Sequence, residues 1–173
     1  LKRLQTDYLD LYLLHWRGNV PLRETVACME ELVAQGKIRR WGVSNFDVED
    51  MQELLETPGG ENCAVDQVLY HLGSRGIEYA LLPLLAARGI GVMAYCPLAQ
   101  AGAVSRTGRG LLRHPLLTQT AAGYGATAAQ LLLAFLWRRP GVMAIPKAAS
   151  LEHVRENAAA RELRISEEDW ARL

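Results

Sequence analysis

Five times along this chain a short apolar run is followed by a stretch of helical periodicity, and that rhythm leaves few folds open. The runs are 8–16, 40–44, 64–70, 91–95 and 142–146. Helical patterns follow at 21–35, 47–56, 77–88, 127–138 and 150–159, and a last amphipathic helix starts at Ser166. Alternating strands and helices imply a parallel sheet with right-handed crossovers. The run Tyr8 to Trp16 is apolar on both faces, which predicts a strand buried on both. Asp47, Thr127 with Gln130, Ser150 and Ser166 read as helix caps. Pro83 fits its helix only in the first turn or at a kink. Residues 100–125, rich in Gly, Thr and Arg, read as a long loop with one short helix near Leu111.

Two architectures share this rhythm, an open doubly wound sheet and part of a (β/α)8 barrel. The first predicts a glycine-rich phosphate loop after a strand, and no G-x-G-x-x-G or G-x-x-x-x-G-K follows any run here. The barrel predicts polar residues at the carboxyl ends of the strands, converging on one face. Lys plus Arg and Asp plus Glu both number 19, so no net field favours nucleic acid or an anionic membrane. No apolar run reaches membrane-span length. Cys28, Cys63 and Cys96 suit free thiols in a reducing, cytoplasmic setting better than a disulfide framework, and no metal site is expected.

The strand ends are His15-Trp16, Ser44-Asn45, Gln67, Tyr95 and Lys147. Each is polar or aromatic after an apolar run. Ser, Asn and Gln present donors and acceptors that match a flat amide. Tyr95 can stack on a planar heterocycle. Lys147, with Asn157 on the following helix, suits a phosphate and a purine edge, helped by the helix start at Ser150. Each residue taken singly has a plainer role. His15 and Tyr95 could be core, Ser44-Asn45 a turn, Gln67 a partner for buried backbone and Lys147 a solvated surface charge. Their coincidence at successive strand ends favours a nucleotide-cofactor site built without a glycine loop.

The segments D-Y-L-D-L-Y-L-L-H-W ending at Trp16, G-K-I-R from Gly36 with G-V-S-N-F from Gly42, Gln67, A-Y-C-P-L from Ala94 and I-P-K ending at Lys147 resemble, in order, the signatures of the aldo-keto reductase family. The stretch from Tyr70-His71 to Gln100 is most similar to bacterial aldehyde and dicarbonyl reductases of that family. The resemblance implies a (β/α)8 (TIM) barrel that binds NADP(H) and reduces aldehydes and ketones. It implies that His15 polarises the substrate carbonyl beside Trp16, and that Ser44, Asn45 and Gln67 hold the nicotinamide carboxamide. Tyr95 would stack on the nicotinamide, and the backbone of Cys96, Pro97 and Leu98 would approach the pyrophosphate. Lys147 would contact the phosphate on the adenosine ribose, and Asn157 the adenine.

Three departures bear on that expectation. His153 stands where the family often has an arginine for the 2′-phosphate, which weakens the preference for NADP(H) over NAD(H). Cys96 and Ala148 stand where hydroxyls are common. Of the family's Asp, Tyr, Lys and His tetrad only His15 is present, and Tyr8 and Tyr12 lie too close to it on one strand to replace the missing acid. The chain opens on Leu1-Lys2-Arg3-Leu4, which reads as the last turn of a helix. The expectation is therefore α/β, an incomplete (β/α)8 barrel with the first three units absent and residues 1–173 as one partial domain. Such a barrel usually needs about 250 residues. A lone chain of this kind is expected to be inactive or marginal and to self-associate through open edges, or to belong to a longer product. Its ligands are a small carbonyl compound and a nicotinamide nucleotide, with no nucleic acid or membrane partner. The alternative is a non-catalytic module that binds the cofactor and regulates a partner.

Overall fold

The computed structural model describes residues 1–99 and 110–173. The strands are β1 (Leu9–Leu14), β2 (Ile38–Ser44), β3 (Val65–Leu69), β4 (Gly91–Tyr95) and β5 (Val142–Ala144). Their order in the sheet follows the chain, so β1 and β5 form its edges. The helices are α1 (Leu22–Ala34), α2 (Val48–Glu56), α3 (Leu81–Ala87), α4 (Pro115–Gly123), α5 (Ala128–Trp137), α6 (Leu151–Ala159) and α7 (Glu167–Arg172). Chain packing separates two compact units, one of residues 1–68 with 77–93 and one of residues 69–76 with 94–173.

In the first unit β1 pairs in parallel with β2, Leu11 opposite Arg40 and Leu13 opposite Gly42, and β2 pairs with β3, Ser44 opposite Gln67. The core gathers Val26 and Met29 of α1, Trp41 and Val43 of β2, Met51 and Leu54 of α2 and Val65 of β3. Trp41 is buried with its indole N–H donating to Glu30 at 2.6 Å, so its one polar atom is satisfied. The expectation that β1 is buried on both faces fails. Asp10 and Tyr12 are exposed, and the leucines are only half-buried. An edge strand has a neighbour on one side alone, and Tyr12 and Asp10 lie on the face that the core does not cover. Asp10 pairs there with Arg39 at 2.8 Å.

The caps form as expected. The Asp47 side chain accepts from Asp50 N–H, the Ser150 hydroxyl from His153 N–H and the Ser166 hydroxyl from Asp169 N–H. Thr127 and Gln130 complete a reciprocal capping box. Helix α3 starts at Leu81, later than the periodicity suggests, which places Pro83 in the first turn where its missing N–H costs nothing. A separate turn of tight helix occupies Gly76–Glu78.

The second unit corrects the long-loop reading of residues 100–125. Residues 100–109 lie outside the described residues, but Leu111–Arg113 forms a short 3₁₀ turn and α4 follows it. Pro115 opens α4, and Leu117, Thr120 and Ala121 are buried, with Leu117 and Ala121 packed on Leu131 and Leu132 of α5. Burial of that face on α5 stabilises the helix. Tyr124 ties α7 in place by donating to Asp169 at 2.6 Å, and Trp170 packs on Phe135.

Candidate active site

The first unit assembles its strand ends through backbone geometry. Strand β1 stops at Leu14, and His15 and Trp16 follow in a bend, both exposed, with ring centroids 5.8 Å apart. Strand β2 ends on Ser44, and Asn45 turns the chain left-handed at φ 62° before Asp47 caps α2. Asn belongs to the few residue types that adopt this conformation readily, which explains its place in the turn. The Gln67 carbonyl is the hub. It accepts from the Ser44 hydroxyl at 2.7 Å and from Asn45 N–H at 3.0 Å. The Asn45 amide donates to the Ser44 oxygen at 3.1 Å and to the His15 carbonyl at 3.2 Å. Three of these hydrogen bonds lock the three strand ends together, and the fourth, from Asn45 to Ser44, braces the end of β2 itself. The side-chain amide of half-buried Gln67 makes no hydrogen bond among the described residues. It offers both a donor and an acceptor to a ligand.

Two residues of this unit were not singled out in the sequence. Arg17 follows the His15 bend and reaches α2, donating to Glu53 at 2.7 and 2.8 Å and to Asp50 at 3.0 Å. The bond to Glu53, opposed by slight desolvation, raises its already high pKa. About a third of its side chain is exposed, so the network is screened. Arg17→Gln should cost no more than about 1 kcal/mol in chemical unfolding, and the cost should shrink in high salt.

Asp66 is the second. It is fully buried on β3 beside Gln67, and neither carboxyl oxygen completes a hydrogen bond. Burial pushes its pKa up to about 7; the Phe46 N–H draws it down and the Asp50 charge adds to the rise. Cys63 is also buried, and its thiol is pushed up to about 12, chiefly by burial. It is an inert core thiol.

In the second unit Tyr95 ends β4 half-buried. Cys96 and Ala99 then take left-handed backbone at φ 51° and 56°, and Ala99 N–H closes the turn on the Cys96 carbonyl at 2.8 Å. Pro97 is buried and Leu98 half-buried, with Leu98 against the α4–α5 core. Lys147 is exposed beyond β5, followed by half-buried Ala148. His153 and Asn157 lie one turn apart on the same face of α6, the first exposed and the second half-buried. Thr127 donates to Glu156, and Gln130 to the Glu156 carbonyl at 3.1 Å, which docks α6 on α5. Among the described residues Cys28, Cys63 and Cys96 form no disulfide. Among the described residues no cluster of His, Cys, Asp or Glu is gathered for a metal, and no helix is long and apolar enough to cross a membrane.

A parallel sheet in chain order, alternating with helices and carrying polar strand ends, defines part of a (β/α)8 architecture. The sequence matches the model of the aldo/keto reductase family over residues 1–173, and the chain belongs to that family. It is 58% identical over its whole length to methylglyoxal reductase YeaE of Escherichia coli, and 36% identical to glyoxal reductase of Bacillus subtilis. It spans 60% and 58% of those two relatives. The crystal structure of an aldo-keto reductase from Klebsiella pneumoniae in complex with NADPH superposes with a TM-score of 0.94 at 61% identity, over 99% of this chain and 59% of that one.

Proposed function

We propose that this chain carries the cofactor-orienting part of an NADP(H)-dependent reductase of small aldehydes and ketones, dicarbonyl compounds foremost. The supporting observation is the Ser44–Asn45–Gln67 cluster, which is rigid in its backbone and has an uncommitted side-chain amide. That donor set fits a nicotinamide carboxamide, and the named activities of the relatives are dicarbonyl reductions. When bound, the cofactor supplies the hydride. Gln67, Ser44 and Asn45 fix its amide and so choose the face it presents, a positioning effect. His15 donates to the carbonyl oxygen and polarises it beside Trp16.

In the second unit Tyr95 offers a ring face, and the Cys96–Ala99 turn offers backbone to the pyrophosphate. Lys147 supplies a point charge for the ribose phosphate, and Asn157 an amide for adenine. His153 lacks the fork of a guanidinium, so NAD(H) is discriminated against only weakly. Ala148 adds no hydroxyl. No general acid is assigned within these residues: Tyr8 lies under the Arg39 guanidinium at 4.2 Å and Tyr12 is exposed on the edge strand. The 173-residue chain alone should therefore bind cofactor but turn over poorly, and rapid turnover would refute this. We place the protein in the cytoplasm, in keeping with the absence of a disulfide among the described residues, and expect some self-association through the β1 and β5 edges.

Titration with NADPH, followed by cofactor fluorescence, tests the reading. Saturable binding should weaken roughly tenfold in Lys147→Ala, the loss of about one charge-assisted contact. Absence of saturable binding would reject it.

A further inference from the structure

We propose that Arg17 is a positioning residue, whose guanidinium ties the bend carrying His15 and Trp16 to helix α2 and so holds the carbonyl-polarising side of the site at a set distance from the cofactor-orienting side. The inference rests on the reading that His15 acts on a carbonyl beside a nicotinamide held by Ser44, Asn45 and Gln67.

The bend has little burial to fix it. Strand β1 has already ended at Leu14, and His15 and Trp16 are exposed, Trp16 with 61% of its surface in solvent. Gly18 follows in left-handed backbone at φ 63°. A segment with few buried apolar contacts belongs to the low-stability end of a structure. Two tethers stand in for burial. The His15 carbonyl accepts from the Asn45 side-chain amide at 3.2 Å. Two residues later Arg17 uses both ends of its guanidinium. Nη1 donates to Asp50 at 3.0 Å, and Nη2 to the two oxygens of Glu53 at 2.8 and 2.7 Å.

Both tethers end on one short stretch of chain. Asp50 lies in the first turn of α2, where its N–H donates to the Asp47 cap at 2.9 Å. Asp47 stands two residues after Asn45. One tether therefore grips the turn that presents Ser44 and Asn45, and the other grips the helix that this turn begins. A single tether leaves the bend free to pivot about the His15 carbonyl, and the second removes that freedom. The planar fork of arginine suits two carboxylates one helical turn apart. Partly exposed ion pairs add little to unfolding free energy. The effect of this one is expected in the order of the bend rather than in global stability.

The test is NMR on the 173-residue chain. Nitrogen relaxation reads the order of the His15, Trp16 and Arg17 backbone amides. The His15 ring resonance is followed with and without saturating NADPH. Arg17→Gln, and Glu53→Ala from the far partner, should each loosen those amides while the indole N–H of buried Trp41 stays rigid. Both variants should also lose most of the shift that NADPH induces in the His15 ring. Glu49→Ala is the control. It removes an equal charge from the first turn of α2, but Arg17 bonds to Asp50 and Glu53 instead, so order and shift should match wild type. Amides and ring shift that stay unmoved in Arg17→Gln would overturn the inference. Equal loosening in Glu49→Ala would overturn it too, by marking a general effect of charge on α2. The two readings fail separately, because the amides report the tether with no cofactor present. Saturable NADPH binding that leaves the wild-type His15 ring unshifted would reject the role given to His15 and the positioning role with it.

Discussion

Asp66→Asn makes this chain more stable at neutral pH, and the gain grows as the pH rises from about 4 to about 7. An unfolded aspartate loses its proton near 3.9. In the folded chain burial holds the proton on Asp66 up to about 7. Between those two values the folded state binds more protons than the unfolded one, so wild-type stability falls as the pH rises. Below the window both states are protonated, and above it both are ionised, so the slope vanishes at either end. The integrated penalty is on the order of 4 kcal/mol. Asparagine has no proton to lose and keeps the shape. Urea unfolding of both proteins from pH 4 to pH 8 should therefore show curves that meet in acid and separate towards neutrality. Parallel curves would mean that Asp66 ionises in the fold as it does in water.

Asp66 also shows where the sequence stopped being legible. The pattern A-V-D-Q-V-L-Y announces a strand, and its end drew attention to Gln67 because a polar residue there faces the expected mouth. Which neighbour of Gln67 is buried depends on the pleat and on what packs against each face of the strand, and neither is written in local periodicity. Arg17 escaped for a related reason, because its carboxylate partners lie 33 and 36 residues away on α2. The caps were legible because their logic is local. Thr127 with Gln130 needs only a spacing of three residues to be read as a capping box. Helix α4 was not, because what stabilises it is Leu117 and Ala121 settling on α5, a contact that composition does not carry. The apolar run of β1 predicts a strand, which forms, and cover on both faces, which does not. Apolar residues on both faces report what a strand can bury, whereas burial depends on the neighbours it has.

Gly42→Ala carries the other large effect, through a single methyl group. Gly42 sits in the middle of β2, opposite Leu13 of β1. A Cβ built there would lie 2.4 Å from the Val65 carbonyl oxygen, 2.6 Å from Val65 Cγ1 and 2.9 Å from Leu13 Cδ2. The Leu13 methyl can swing aside, but the Val65 carbonyl is backbone at the start of β3 and moves only if the strand does. Overpacking of this kind costs about 3 kcal/mol. Two residues further along β2, Ser44 donates to the Gln67 carbonyl at 2.7 Å, a distance that leaves little room for β2 and β3 to part. Gly42→Ala should therefore lower stability in urea unfolding and also weaken NADPH binding in whatever fraction stays folded. Gly76→Ala is the matched control, because nothing lies within 4 Å of its added methyl, and it should change stability by less than about 0.5 kcal/mol. If both variants unfold at the same urea concentration as wild type, β2 and β3 do not meet as closely as this register places them. The proposed presentation of Ser44, Asn45 and Gln67 to a single ligand group would then lose its structural basis.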